Sequence, residues 1–176
     1  APTLIADCKP GMSVVQEEGG NATITIGNPV PVVDEATGKI HLLFCRNNDR
    51  VFYTFSTDHG AAWSARTEYT SELKLAAGWT GWYATGPGHG IQLQRGAQAG
   101  RLIVPAYIGN GAHVIYSDNQ GGTWQLGAIR EDIGNGIQPG ENLAVERVGL
   151  LNGNSRIYFN ARDGGSQSGT RSDETS

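Results

Sequence analysis

The chain has 176 residues, a formal net charge of −4 and only 17% charged residues. This balance provides no basic surface for a nucleic acid, and no apolar run approaches the ~20 residues that a membrane-spanning helix requires. The 26 glycines and the short apolar stretches instead favour a single all-β domain of many strands joined by tight turns.

The first predicted strands precede a polar motif at residues 56–63. Two prolines in the stretch 28–33 permit an extended strand but no helix. Residues 34–38 predict a turn, and residues 39–45 and 51–55 predict two further strands. This content is that of one antiparallel sheet of three or four strands, the size of a propeller blade.

Cys45 ends the second of these strands. It and Cys8 are the two cysteines of the chain, and they could form one disulfide or be two buried thiols. Because Cys45 belongs to the apolar run 42–45, we favour a packed thiol.

The motif at 56–63 recurs at 117–124. Both copies read Ser-x-Asp/Asn-x-Gly-x-Thr/Ala-Trp, and their first residues are 61 positions apart (117 − 56). The apolar stretches 38–44 and 100–106 repeat at 62 positions (100 − 38). An Asp or Asn side chain can bond the amides of its own turn, Gly supplies a positive φ, and Trp fills the space below. Two turns with two preceding strands make a repeat, which indicates propeller blades or a solenoid.

The second unit begins after a strand-poor stretch at residues 64–80. Four glycines and a proline surround His89 in residues 81–93, which indicates a backbone held close to a ligand or to a neighbouring blade. Residues 102–107 and 112–116 then predict the strands of a second blade.

A hairpin is predicted beyond the second motif. Residues 127–139 are assigned to a loop, and residues 141–148 and 156–161 to two strands closed by residues 150–154. The tail at 163–176 has no large apolar residue and is assigned to a loop.

The repeat length bears on how much of a propeller is present. A period of 61 residues puts the neighbouring motifs just outside both ends of the chain. We therefore interpret residues 1–176 as one partial propeller domain of two to three blades, from the middle of a longer protein. Since a closed propeller has about four to eight blades, further blades are expected as partners.

The motifs at 56–63 and 117–124 resemble the Asp-box of the sialidase (neuraminidase) superfamily. Residues 86–93, Gly-Pro-Gly-His-Gly-Ile-Gln-Leu, and residues 100–105, Gly-Arg-Leu-Ile-Val-Pro, resemble a second sialidase segment. The resemblance implies a six-bladed β-propeller in the complete protein.

A third segment resembles the sialidase hairpin in which a catalytic Glu opens one strand and an Arg ends the next. It puts Glu141 in the catalytic position, with a second acidic residue, Glu146, five positions later. It puts Arg162 in the place of one of the arginines that bind the carboxylate of sialic acid, which a guanidinium does through two parallel hydrogen bonds. In this family the Glu is the base that activates a Tyr nucleophile. Without the resemblance, an exposed carboxylate at a strand start is the favoured interpretation of Glu141, and a surface salt bridge that of Arg162.

Tyr83 and His89 are candidate substrate contacts, because they lie in the loop that would face the pocket. For His89, a buried histidine with satisfied hydrogen bonds is the alternative. Asn28 and the pair Arg46 and Asn47, at the ends of first-blade strands, could also reach that face.

The chain departs from the sialidase pattern around the catalytic position. Asn142 follows Glu141 where a small residue or Cys is common, and Gly140 precedes it where Asn is common. The chain has no Arg-Ile-Pro motif and no tyrosine beyond Arg162. The first and third arginines, the acid Asp and the Tyr nucleophile therefore have no counterpart, and we expect that this chain alone does not hydrolyse sialosides.

The resemblance implies a retaining exo-α-sialidase, a glycoside hydrolase that releases terminal sialic acid, with a sialylated glycan as its partner. The alternative is a non-catalytic Asp-box propeller that binds glycans or proteins. The four histidines show no metal-ligand spacing, so neither a metal nor another cofactor is expected. A secreted, periplasmic or lysosomal location is favoured.

Overall fold

The computed structural model describes residues 25–86, 88–108, 111–131, 139–163 and 170–175, which form three antiparallel sheets in chain order. The first sheet contains β1 (Ile26–Asp34), β2 (Lys39–Arg46), β3 (Arg50–Ser56) and β4 (Thr67–Glu68), in that spatial order. The predicted turn at 34–38 joins β1 to β2, with Gly38 at a φ of 72°. The first blade is thus built from the strands that the sequence predicts.

The second sheet follows a short helical connection. Helix α1 (Thr70–Leu73) and a 3-10 helix (Leu75–Ala77) lead to β5 (Tyr83–Thr85), β6 (Ile91–Gln92), β7 (Leu102–Ile108), β8 (Gly111–Ser117) and β9 (Gln125–Glu131). Strands β5 and β6 pair with opposite ends of β7, and the described residues between them, Gly86 and 88–90, belong to neither strand. The loop predicted at 127–139 is wrong over residues 127–131, which belong to β9 and pair with β8.

The third sheet contains β10 (Pro139–Leu151), β11 (Asn154–Asp163) and β12 (Thr170–Thr175). The predicted five-residue hairpin loop is wrong, because Asn152 and Gly153 alone turn the chain, with φ values of 51° and 81°. The tail was predicted to be a loop, yet residues 170–175 form β12 against β11. Main-chain hydrogen bonds to a strand edge require no apolar side chains, so composition gave no signal for this strand.

Strand β7 is buried on both faces and joins two cores. Leu102 and Val104 contribute to the core shared with the first sheet, and Ile103 and Tyr107 to the core shared with the third. Cys45 lies in the first core as a free, buried thiol, as predicted; the alternative partner, Cys8, lies outside the described residues. A strand that faces two cores reads as a continuous apolar run, as residues 102–108 do.

The repeated motifs form matching turns after β3 and β8. In the first, Ser56 Oγ accepts the amide of Gly60 at 2.9 Å and Asp58 Oδ1 accepts that of Ala62 at 2.9 Å. In the second, Ser117 Oγ accepts the amide of Gly121 at 2.9 Å, and Asn119 Oδ1 accepts that of Thr123 at 2.8 Å. The short polar side chains therefore satisfy the turn amides, as the sequence predicts.

The second turn also fixes the first sheet against the second. Trp124 is buried with its ring centroid 5.5 Å from that of Tyr53, and Gly121 lies against the rings of Tyr53 and His41. A Cβ at Gly121 would come within 2.6 Å of the Tyr53 hydroxyl. The two sheets therefore pack closely here because this position is glycine.

Candidate functional site

Glu141 and Arg162 meet at one end of the third sheet. Glu141 lies near the start of β10 and Arg162 near the end of β11, and these ends are neighbours because the strands are antiparallel. Arg162 Nε lies 2.6 Å from Glu141 Oε2, and the two side chains are 60% and 38% exposed, respectively. The two candidates are therefore neighbours joined by an ion pair, as in the surface salt bridge given as the alternative for Arg162, and the guanidinium is still accessible to an anionic ligand.

A β-bulge precedes this pair. The register of β10 and β11 shifts between the pairings Pro139–Asp163 and Asn142–Ala161. Two residues thus lie between the pairings on β10 and one on β11, which bends the strand locally and redirects the side chain of Glu141.

Asn142 holds the bulge from its buried side. Its Nδ2 donates to the carbonyl oxygen of Ala106 on β7 at 2.8 Å and to that of Gly140 at 3.1 Å. Its Oδ1 is buried with no hydrogen-bond partner among the described residues. Asn142 thereby ties the strand that carries Glu141 to the neighbouring sheet.

Tyr107 lies beneath the pair and was not selected from the sequence. A Cβ at Gly140 would lie 3.8 Å from its ring, and it is buried in the core between the second and third sheets. Burial raises the pKa of Tyr107 and the charge of Glu141 raises it further, while Arg162 opposes this. Because the raised pKa disfavours the phenolate and the ring lies in the core, Tyr107 suits a hydrogen-bonding or packing role better than that of a nucleophile. Its position at the end of the predicted strand 102–107 was the only sequence signal.

Trp82 is a partly exposed aromatic residue beside Tyr107. Its ring centroid is 4.8 Å from that of Tyr107, and the residue is 43% exposed. It immediately precedes β5, whose first residue pairs with Ile108 at the end of β7. Trp82 therefore lies at the same end of the sheets as Glu141.

A buried lysine fixes the segment before Trp82. The ammonium of Lys74 donates to the carbonyl oxygen of Asp49 at 2.8 Å, to the Asp49 carboxylate and to the carbonyl oxygen of Gly81. The amide of Tyr83 donates to the carbonyl oxygen of Asn48 at 2.7 Å. The backbone is thus held on both sides of Trp82 by the turn between β2 and β3.

The structure places the two remaining candidates differently. Tyr83 is fully buried, its hydroxyl lies 2.7 Å from His113 Nε2, and burial raises its pKa well above the ordinary value. It therefore presents no surface to a ligand in the described structure, and its position favours a packing role. His89 is exposed, with Nδ1 3.0 Å from its neighbour's carbonyl oxygen, in a loop where Gly88 lies against Leu143 of β10.

The weaker first-sheet candidates form local hydrogen bonds. Asn28 Nδ2 donates to Asn48 Oδ1 at 2.9 Å, and Asn47 Oδ1 accepts the amide of Thr25 at 2.9 Å. Arg46 also has an interaction partner. These contacts hold the end of the first sheet together.

Glu146 is a structural anchor in the described structure. Its carboxylate accepts the amides of Gln94 and Arg95 at 2.8 and 3.1 Å and the hydroxyl of Ser155 at 2.7 Å. It therefore fixes the loop between β6 and β7 to the third sheet, away from the end that carries Glu141.

The residues that the structure describes contain no candidate metal site. They contain no group of three or more His, Cys, Asp or Glu side chains that could hold a metal ion. No helix in this part of the chain is long and apolar enough to cross a membrane.

Comparison with known proteins identifies the family. A model of the BNR repeat-like domain matches residues 9–176. The chain belongs to the sialidase superfamily of BNR-repeat proteins. This BNR-repeat chain is 30% identical over 169 residues to sialidase-3 of Rattus norvegicus, covering 77% of this chain and 37% of that protein. It is 41% identical over 113 residues to the sialidase of Micromonospora viridifaciens, covering 61% of this chain and 16% of that protein.

Solved structures agree on the fold of the BNR-repeat chain. The Hadza microbial sialidase Hz136 superposes with a TM-score of 0.67 at 20% identity, covering 86% of this chain and 31% of that one. The intramolecular trans-sialidase of Ruminococcus gnavus, solved with oseltamivir carboxylate, gives a TM-score of 0.62 at 16% identity, covering 84% and 51% of the respective chains. The three sheets are therefore blades of a partial β-propeller, and the chain spans about a third of the length of rat sialidase-3.

Proposed function

We propose that this chain supplies part of the active site of an exo-α-sialidase, a glycoside hydrolase that releases terminal sialic acid with retention of configuration. The observation that carries the proposal is the accessible Arg162 guanidinium beside the Glu141 carboxylate, at the end of a bulged hairpin. The family relationship supports the substrate class, since the similar proteins are named sialidases.

The chemistry assigned to the pair follows from its charges. Arg162 binds the carboxylate of the sugar through parallel, charge-assisted hydrogen bonds. Glu141 accepts the proton of a tyrosine nucleophile, because an anionic nucleophile would be repelled by an anionic substrate. Tyr107 has a raised pKa and lies in the core, and no tyrosine of this sequence lies beyond Arg162, where the family has its nucleophile. We therefore assign the nucleophile to a tyrosine outside these 176 residues.

The binding role of Arg162 can be tested on the natural polypeptide that carries these residues. Replacing Arg162 with Met should weaken binding of 3'-sialyllactose by about 10- to 100-fold, because it removes charge-assisted hydrogen bonds. Isothermal titration calorimetry measures the change. Arg101→Met is the matched control, since Arg101 pairs with Asp118 at the opposite end of its strand, and it should leave affinity unchanged. Equal affinities of R162M and R101M would contradict the proposal.

The catalytic role of Glu141 is tested on the natural polypeptide that carries these residues. Glu141→Gln should lower the rate of sialic acid release from a fluorogenic sialoside by about 10²- to 10⁴-fold, the usual contribution of a general base. If the unaltered polypeptide binds the sialoside but does not hydrolyse it, the second candidate, a glycan-binding propeller, is supported instead. The exposed guanidinium of Arg162 would be sufficient for such binding.

A further inference from the structure

Trp82 is the exposed aromatic residue next to the candidate site, and the proposed function assigns it no role. Its ring is tilted by 59° against that of Tyr107, and the charges of Glu141 and Arg162 act on the Tyr107 hydroxyl. A Cβ at Gly140, the residue before Glu141, would lie 3.8 Å from the ring of Tyr107. Trp82 and the Glu141–Arg162 pair therefore both lie near Tyr107, at the same end of the sheets.

The position of Trp82 is fixed before any ligand binds. Gly81 is held by Lys74, and Tyr83 is held by the carbonyl oxygen of Asn48 and by pairing with Ile108. A side chain on such a backbone loses little conformational entropy on binding, so its contact with a ligand contributes more to affinity.

An exposed tryptophan fixed in this way suits a ligand with an apolar face. A sugar ring presents C–H groups on its faces and hydroxyl groups at its rim, and an indole ring packs against the C–H groups. Tryptophan is also the residue type that most often dominates the energy of a binding surface. An anionic glycan would thus place its carboxylate on Arg162 and a sugar face on Trp82.

We infer that Trp82 is a specificity-determining residue that packs against a sugar ring of the bound glycan. The inference rests on the proposed function, because Arg162 and Glu141 bring the glycan to this end of the sheets. It assigns glycan recognition to the second blade as well as to the third.

The test compares variants of the natural polypeptide that carries these residues in titrations with 3'-sialyllactose and with free N-acetylneuraminic acid. Trp82→Ala should weaken binding of 3'-sialyllactose by about 10-fold or more, and Trp82→Phe, which keeps an aromatic face, by less than about 3-fold. Trp63→Phe is the matched control, since Trp63 belongs to the turn at the opposite end of the first sheet. A loss confined to 3'-sialyllactose assigns Trp82 to the second sugar, and a loss for both ligands assigns it to the sialic acid ring.

Tryptophan fluorescence gives a second measurement that does not depend on the alanine variant folding. Addition of 3'-sialyllactose should change the emission of the unaltered chain and of W63F, and the change should be lost in W82F. Unaltered affinity and an unaltered emission change in the Trp82 variants would overturn this inference and leave the proposed function standing. Failure of the folded, unaltered chain to bind either ligand would overturn both.

Discussion

Two buried histidines, His41 and His113, remain neutral in the folded chain. Burial lowers the pKa of His41 to about 4, and Lys39 lowers it further while Asp34 opposes the change. Burial lowers the pKa of His113 to about 3, against the effect of a hydrogen bond to the backbone of Gly111. An unfolded histidine titrates near pH 6.5, so between about pH 6.5 and 4 the unfolded chain binds protons that the folded chain does not.

The free energy of unfolding should therefore be highest above about pH 6.5 and decrease as the pH falls toward 4. Urea denaturation followed by circular dichroism should give a lower midpoint at pH 5.0 than at pH 7.5. Substituting His113 with Gln should make the midpoint less dependent on pH, whereas substituting the exposed His89 with Asn should not. Equal midpoints of the unaltered chain at the two pH values would show that burial does not keep these rings neutral.

Candidate site residues could be chosen from the sequence where they belong to a family motif. Glu141 and Arg162 were chosen from the resemblance to a sialidase hairpin, and the structure places them side by side. The same motif did not show that Tyr83 is buried while the adjacent Trp82 is exposed, because the side-chain direction depends on pairing with β7. A one-residue change in register exchanges the two faces of a strand.

At the scale of elements, the third sheet depends on the buried amide of Asn142. This side chain crosses from β10 to the carbonyl oxygen of Ala106 and also bonds Gly140 inside the bulge. The sequence marked position 142 as a departure from the sialidase pattern but gave no reason for it. The hydrogen bond to Ala106 of β7 gives this position a structural role, and it was not predictable because it joins residues 36 positions apart in the chain.

Replacing Asn142 with Ala should destabilise the chain by about 2 kcal/mol, since it leaves a buried carbonyl oxygen without its donor. It should also broaden or shift the NMR signal of the Arg162 Nε–H group, because the bulge no longer holds Glu141 beside it. Val145→Ala is the control on the exposed face of the same strand and should change stability by no more than about 0.5 kcal/mol. An unchanged Arg162 signal in N142A would show that the bulge forms without this side chain.

The elements missed from the sequence share a physical cause. Asn152 and Gly153 form a two-residue turn, but the composition of the residues on either side led to the prediction of a longer loop. Strand β12 consists of polar residues that pair with β11 through the main chain. Apolar patterning finds strands that bury side chains, as in β7, and overlooks strands whose pairing relies on backbone hydrogen bonds.

At the scale of the whole molecule, the repeat explains how neighbouring blades pack. The turn after β8 inserts Trp124 beside Tyr53 and places Gly121 against the first sheet, whereas in the turn after β3 a Cβ at Gly60 would have, among the described residues, only Trp63 within reach, at 3.8 Å. Both glycines have positive φ, at 78° for Gly121 and 88° for Gly60. The two turns are thus matched in backbone conformation, and within the described structure a neighbouring blade packs against the second of them.

Alanine substitutions at Gly60 and Gly121 should distinguish the stability lost through backbone strain from the stability lost through disturbed packing between blades. Gly60→Ala should cost about 1 kcal/mol, the penalty of a side chain in the left-handed region. Gly121→Ala should cost about 3 kcal/mol, because its methyl group also displaces the rings of His41 and Tyr53. Thermal and urea unfolding of the two variants measure the difference. An equal loss of unfolding free energy in both would mean that a methyl group at position 121 does not disturb the packing between the blades.

The lysine that holds the segment before Trp82 has a consequence for the chemistry of the chain. The amine of Lys74 is enclosed between Asp49 and Gly81, so an acylating reagent or a modifying enzyme cannot reach it while the first two blades stay joined. Any covalent mark on this amine would therefore record that the segment had opened. Modification of the Lys74 amine would thus report that the first two blades had separated, whereas modification of the more accessible Lys39 would not.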